Sequence, residues 1–316
     1  MSNPLVSIIT PTFNRAWVLP RAIKSVLSQT YTNFEHIIVD DVSTDNTKEV
    51  VSKFKDPRIK YIRLNYHKID ETYGAPRARN VGINSAKGKY IAFLDSDDVF
   101  LPPKLQKQVR LIESSLEEYV MVYSGFEFHI EGDPKYKDVV IPTKRGDLFK
   151  ELLRSNVAGT LTVLAKRSAI LHAGLFDEKI PTCEDWDLWI RLAQLGKIDF
   201  VPEVLAYDYI HGRQVSRVFD KKLEGKKLVY KKYKRLIDQD PRIKARHMAM
   251  IGTLSAVGGK PKDAPGYYLK SLLANPFQKG IYFHLIASFL FPKAHSRFIF
   301  ENRLKKYGNI TVADLK

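Results

Sequence analysis

One cysteine, Cys183, is present in 316 residues. That excludes an intramolecular disulfide and a cysteine-rich zinc site, and it fits a reducing compartment. Long apolar runs are also missing. The longest, residues 281–291, is interrupted by His284 and Ser288. As a helix it would reach about 16 Å, against roughly 30 Å of bilayer hydrocarbon, so it does not span a membrane alone. Residues 1–9 carry no basic segment and too short an apolar stretch for a secretory leader, so a cytoplasmic location is expected. No G-x-G-x-x-G or G-x-x-x-x-G-K-[ST] occurs, which removes the signatures of dinucleotide and P-loop sites. No H-E-x-x-H or G-x-S-x-G occurs either, and with them go the commonest hydrolase cues.

Acidic residues run out toward the end of the chain. The overall balance is 51 Lys and Arg against 35 Asp and Glu, a net charge of +16. Residues 1–215 hold 29 basic and 28 acidic side chains, whereas 216–316 hold 22 and 7. A balanced region of 215 residues is therefore followed by a cationic one, and the boundary is expected there. A hydrophobic content of 44% with 27% charged residues is that of an ordinary folded protein.

Within the balanced region, strand-like and helix-like segments alternate. Residues 5–9, 34–39, 59–64 and 90–94 are short, nearly continuous apolar runs. Helical periodicity lies between them, as at Val18, Leu19, Ala22, Ile23 and Val26. This order predicts an α/β fold with a mostly parallel sheet covered on both faces. In such sheets ligands sit beyond the carboxyl ends of the strands. Those ends carry Thr10, Thr12, Asn14 and Arg15, then Asp40-Asp41, then Asp95-Ser96-Asp97-Asp98. Further strands are expected at 120–128, 161–165 and 200–209, with a loop at 131–138. From about residue 221 the pattern is helical throughout.

Read singly, these clusters permit two interpretations each. Asp95 and Asp97, two apart after a strand, suit a hard divalent ion shared with a diphosphate, but acids are also common in turns. Asp41 could accept from a base or ribose, or serve the next helix. Arg79 has a planar guanidinium matched to phosphate oxygens. Glu184-Asp185 at a helix start could supply a general base, or simply favour the helix dipole. Trp186 and Trp189 could stack on a sugar or fill the core. His211 could be a metal or phosphate ligand.

Six segments recur in a telling order: VSIITPTFNR at 6–15, SVLSQTY at 25–31, IIVDDVSTD at 37–45, ARNVG at 78–82, FLDSDD at 93–98 and EDWD at 184–187. The chain thereby resembles the family 2 glycosyltransferases over roughly residues 5–215. The resemblance implies the GT-A fold, Rossmann-like with a mostly parallel sheet flanked by helices, here with a helical C-terminal extension. It also implies an inverting hexosyltransferase-type reaction from a UDP- or GDP-sugar to a hydroxyl of a lipid-linked or cell-surface glycan. By the same resemblance Thr10, Thr12, Asn14, Arg15, Asp41, Arg79 and Asp95 line the nucleotide site. Asp97, with Asp95 and His211, holds Mn²⁺ or Mg²⁺. Asp185 is the catalytic base, and Glu184 and Trp186 meet the acceptor. One position departs from the family pattern: Val42 stands where a glycine usually follows the paired acids, so a different local turn is expected there.

Two other classes fit parts of the same sequence. One is a non-catalytic sugar-nucleotide or glycan-binding relative, and the other is a nucleotidyltransferase. Nucleic-acid binding, prompted only by the basic end, is disfavoured once the charge is split. Residues 216–316 read either as a docking surface for an anionic membrane, which would make the protein peripheral on the cytoplasmic face, or as a solvated basic face over a buried helix.

Overall fold

The structure, a computed structural model, describes residues 3–65, 74–114, 117–211 and 219–306. Two compact units emerge, and the expected boundary at 215/216 falls at 212–218, outside the described residues. The first comprises Met1–Leu152, Asn156–Lys179 and Glu184–Ile210; the second comprises Leu153–Ser155, Ile180–Cys183 and His211–Lys316.

The first unit is built on a nine-stranded sheet. Its strands are β1 (Val6–Thr12), β2 (Phe34–Asp40), β3 (Ile59–Arg63), β4 (Tyr90–Phe93), β5 (Val99–Phe100), β6 (Tyr119–Ile130), β7 (Asp133–Val140), β8 (Leu164–Lys166) and β9 (Lys197–Ile210). They lie in the order β3-β2-β1-β4-β8-β6-β9-β5, with β7 paired to β6. β3, β2, β1 and β4 are mutually parallel, as are β6 and β9; β8 runs against β4 and β6. The strand order turns back at β1, between β2 and β4, and such a reversal opens a crevice at the carboxyl ends.

Local chemistry accounts for these elements. Every residue of β1 is buried, as expected for a strand between two covered faces. Helix α1 (Leu19–Leu27) has Pro20 in its first turn and buries Leu19, Ala22, Ile23 and Val26. Helix α3 (Gly74–Ser85) lies against β1 at Gly82, where an added Cβ would come within 2.5 Å of Ile9 Cγ2.

Three segments differ from the sequence reading. The first strand does not stop at Ile9 but runs through Thr10 and Pro11 to Thr12. β4 ends opposite Ile9 at Phe93, so the N–H that Pro11 lacks would have faced a side with no partner strand. Residues 131–138 are not a loop, because β7 begins at Asp133 after a tight turn in which Gly132 has φ +88°. β7 is mostly exposed and rich in Lys and Asp, so no apolar alternation announces it. The run 161–165 starts as a 3₁₀ turn, Thr160–Thr162, and only Leu164–Lys166 is extended. Thr162 closes that turn, its N–H and its hydroxyl both donating to the Gly159 carbonyl.

The second unit is helical, as expected: α8 (Phe219–Ile237), α9 (Pro241–Val257), α10 (Ala264–Ala274), α11 (Lys279–Leu290) and α12 (Pro292–Lys306). Asp240 caps α9 by accepting from the N–H groups of Arg242 and Ile243. Leu223, Met248, Ile251 and Leu254 form its main cluster. The two short pieces of earlier chain dock here through specific contacts. His247 Nε2 lies 2.7 Å from the Leu153 carbonyl, and Thr182 donates to the Lys221 carbonyl at 2.8 Å. Gly225 permits the second contact, since a Cβ there would sit 2.0 Å from the Thr182 carbonyl oxygen.

Candidate active site

The carboxyl ends of β1, β2 and β4 bring Thr12, Asp41 and Asp95 to one edge of the sheet, because the strands are parallel and in register from Val6 onward. The loops there are fastened to each other. Asp40 accepts from the Ser43 N–H at 2.8 Å and from the Tyr61 hydroxyl, and lies 3.5 Å from Arg63. Asp41 donates its N–H to the Thr12 carbonyl and accepts from the Gly74 N–H at 2.9 Å, which ties the start of α3 to the end of β2. Between two such anchored neighbours Val42 has no choice of conformation: its φ is +62°. The turn expected to change with valine therefore keeps its left-handed residue.

The segment after β1 serves the same assembly. Asn14, also left-handed at φ +53°, donates its N–H to Ser43 Oγ and accepts from the Thr44 N–H at 2.7 Å. Asn14 thus holds the two strand ends together. The Arg15 carbonyl accepts from the N–H groups of Val18 and Leu19 at the start of α1. Thr10 departs from its expected role. It is fully buried, with its hydroxyl 2.9 Å from Nε2 of His36 in the sheet interior, so it supports the strand pair and offers nothing to a ligand. That His36 is itself buried, and burial lowers its pKa to about 3. Thr12 is different. Its hydroxyl is buried and has no partner among the described residues, a cost of about 1–3 kcal/mol that an incoming acceptor group would relieve.

Arg79, on α3, joins the two acidic clusters. Its Nη2 donates to Asp95 Oδ1 and its Nη1 to Glu184 Oε1, both at 2.6 Å. The guanidinium is almost wholly buried. Burial opposes its charge, but the Asp95 and Glu184 carboxylates outweigh that and raise its pKa. Burial raises the Glu184 carboxyl in turn to about 7; Arg79 opposes this and the Asp185 charge adds to it. Glu184 is therefore engaged with Arg79 and was not recognised as its partner from sequence.

Asp185 is oriented by neutral donors. Its Oδ2 accepts from Asn156 Nδ2 at 3.0 Å and Thr160 Oγ1 at 3.2 Å, and its Oδ1 from the Trp186 N–H at 2.7 Å. It occupies the first turn of α7 (Glu184–Leu192), which follows Cys183 at φ +67°. Trp186 corrects an expectation. It is fully buried, with Nε1 donating to the Leu152 carbonyl, so its ring has no face to offer an acceptor. Trp189 is core as well, packed among Phe93 and Phe176.

The acids after β4 crowd together. Asp97 and Asp98 are buried, and the Asp98 carboxyl lies well above the usual range, first through burial and then through the charges of Asp208, Asp97 and Asp95. The Tyr209 N–H donates to Asp98, and Arg21 donates to the Asp97 carbonyl while stacking on the Tyr209 ring. Such concentrated negative charge is the chemistry a divalent cation relieves. Among the described residues no three His, Cys, Asp or Glu are grouped to hold a metal. Asp95 and Asp97 fit a cation completed by diphosphate oxygens and water, the ordinary arrangement for Mg²⁺. His211 follows β9 and belongs to the second unit. Sequence reading missed Arg21, Asn156, Thr160 and Asp208. None lies in a recognisable motif, and each acquires its role only from a contact distant in the chain.

Comparison with known proteins gives this geometry a context. An Escherichia coli protein described as "UDP-Glc:alpha-D-GlcNAc-diphosphoundecaprenol beta-1,3-glucosyltransferase WfaP" is 36% identical over 214 residues, 67% of this chain and 80% of that one. The chain spans only 35% of an uncharacterized glycosyltransferase of Rickettsia felis, at 33% identity over 68% of its own length. Among solved structures, Staphylococcus aureus TarS 1–349 in complex with UDP-GlcNAc superimposes with a TM-score of 0.66 at 17% identity, covering 98% of this chain and 95% of TarS. The mannosyltransferase PcManGT of Pyrobaculum calidifontis, in complex with GDP-Man and Mn²⁺, gives 0.58 at 15% identity, over 98% of this chain and 89% of that one. The fold is accordingly GT-A. The family description "Glycosyl transferase family 2" matches residues 7–173, from the first strand to the end of the helix Arg167–Ala173. With that match over more than half its length, the chain is a member of glycosyltransferase family 2, and glycosyl transfer is its activity.

Proposed function

We propose that this glycosyltransferase moves a sugar, with inversion, from a UDP- or GDP-sugar to a hydroxyl of a lipid-linked glycan, and that a divalent cation assists. One observation carries the reading: buried Arg79 binds Asp95 and Glu184 at once, so the acids after β4 and the acids opening α7 belong to one constellation. Asp185, the next residue, is held by Asn156 and Thr160 with neutral hydrogen bonds that leave it free to act as a base.

In this reading Asp185 takes the proton of the acceptor hydroxyl as its oxygen bonds to the anomeric carbon. The bond from that carbon to the diphosphate oxygen breaks on the opposite face, and a nucleoside diphosphate leaves. Mg²⁺ or Mn²⁺ on Asp97 and Asp95 would supply counter-charge for that leaving group. Thr12, whose hydroxyl has no partner among the described residues, and Asp41 receive the nucleoside portion in this reading. Glu184 fixes Arg79 and does not itself meet the acceptor. The UDP-Glc and diphosphoundecaprenol named for the Escherichia coli relative support a uridine nucleotide and a lipid diphosphate acceptor. The Mn²⁺ in PcManGT supports the cation.

The test is a panel of UDP- and GDP-sugars with Mg²⁺ or Mn²⁺, scored by released nucleotide and by thermal shift. Asp185→Asn is expected to lower turnover by about a thousandfold or more, within the range for loss of a general base, with nucleotide affinity unchanged. Unaltered turnover would remove Asp185 from the role. Release of pyrophosphate in place of a nucleoside diphosphate would make the reaction nucleotidyl transfer.

A further inference from the structure

The helical unit carries an apolar face that stays largely exposed among the described residues, although one member, Phe283, also meets Phe298 of α12 edge to face. Of the residues of α11, only Ser288 is buried. Tyr282, Phe283, Ile286, Phe289 and Leu290 are exposed. They are spaced i, i+1, i+4, i+7 and i+8, so they form a single stripe roughly 120° wide. The stripe continues in sequence beyond α11. Phe277, in the connection from α10, is 90% exposed, and Leu273, at the end of α10, is 77% exposed. A soluble surface seldom presents so many large apolar side chains on one helix and its approach.

The same connection walls a basic pocket. A cavity of about 420 Å³ is lined by Arg154, Arg242 and Arg246 with Thr253, Asn275 and Gln278. Arg242 and Arg246 are one turn apart on α9, and Arg154 stands at the end of α5 (Phe149–Arg154). Partial burial and the adjacent Arg154 charge both lower the pKa of Arg246; Arg242 shares the cavity wall with them, and among the described residues no carboxylate lines it. Phe277 lies between two residues of the pocket wall, Asn275 and Gln278. Gln278 fixes that wall by donating to Ser271 Oγ and to the Asn275 carbonyl, both at 3.0 Å. Residues 264–300 contain no Asp or Glu but do contain Lys270, Lys279, Lys293 and Arg297.

We propose that this surface docks the protein on an anionic phospholipid bilayer. The three-arginine pocket takes a lipid phosphate, and the α11 stripe with Phe277 and Leu273 enters the boundary between headgroups and acyl chains. The charge decides the occupant. A second copy would present the same acid-free, basic tract and set like charges together, whereas an anionic leaflet supplies both the phosphates and the apolar phase. Among the described residues no helix is long and apolar enough to cross a membrane, so the helix lies in the interface plane. Basic α8, the part of the cationic end that stands out in the sequence, is secondary to α9–α11 in this account.

The proposal goes beyond the transfer reading and is tested apart from it, by flotation of the full chain with vesicles of phosphatidylcholine alone or with added phosphatidylglycerol. Flotation is expected only with the anionic vesicles. Ile286→Glu combined with Phe289→Glu should abolish it. Arg242→Ala combined with Arg246→Ala should weaken partitioning by about twenty-five-fold, roughly fivefold per charge. All substituted side chains are at the surface, and an unchanged thermal shift with nucleotide sugar certifies the fold of each variant. Equal flotation with neutral and anionic vesicles, or no flotation, overturns the proposal. So does stabilisation by inorganic phosphate alone without vesicle binding, or a dimer in sedimentation velocity that Ile286→Glu dissolves. Loss of flotation with transfer to a soluble acceptor intact would leave the catalytic reading untouched.

Discussion

Val42 shows how a strained residue is kept at a turn beyond a strand end. A β-branched side chain at φ +62° costs about 1–3 kcal/mol. The turn retains it because Asp40, Asp41 and Ser43 are each bonded in place. Val42→Gly should remove the strain and lose part of the gain to glycine's freedom in the unfolded chain. A net stabilisation of about 1 kcal/mol is expected in urea denaturation. Glu184 supplies a test through pH. Its folded pKa, about 7, is above its ordinary value. The folded state therefore holds more protons than the unfolded one between pH 4.5 and 7, and this contribution to stability is lost as pH rises through that window. Glu184→Gln should flatten the fall in melting temperature over that range; an unchanged slope would deny the buried carboxyl its role.

At the scale of elements, the site depends on how closely α3 lies on β1. Gly82 and Ile9 leave no room for a methyl group, and Arg79 is one turn earlier on the same helix. Gly82→Ala should cost about 1–3 kcal/mol by overpacking. It should also lower kcat, because displacing α3 moves the guanidinium that bridges Asp95 and Glu184. Calorimetry and steady-state kinetics on the one variant would check both, and a destabilised enzyme with full kcat would show that Arg79 tolerates the shift. The strands carrying the acids were legible beforehand because each is a buried apolar run ending abruptly in polar residues. What escaped was anything held by a distant partner. Asn156 reaches Asp185 across 29 residues and Arg79 reaches Glu184 across 105, and no local pattern encodes such pairs. β7 escaped for another reason: an exposed edge strand of Lys and Asp has no apolar face to declare it. Trp186 misled because its position after the acid pair is equally compatible with core and surface.

For the whole molecule, the structure divides into two compact units, one built on the sheet and one helical. The balanced residues build the sheet and the acidic site, and the basic ones build the helical unit. In the sequence, residues 221–235 supply the charge and 281–291 an apolar helix; in the structure the exposed apolar side chains lie on α11 and its approach, and a basic cavity opens beside α9. Phe289 belongs to the run 281–291, which composition alone reads equally well as a buried helix, and exposed Phe277 precedes that run. The same exposed stripe limits how the protein can be handled and stored. Any apolar surface that the proposed docking would cover is open to other apolar surfaces when membrane is scarce, and since like charge opposes clustering of copies, the loss expected is to vessel walls and air–water interfaces. On the docking proposal, its working concentration is governed by membrane area as much as by synthesis.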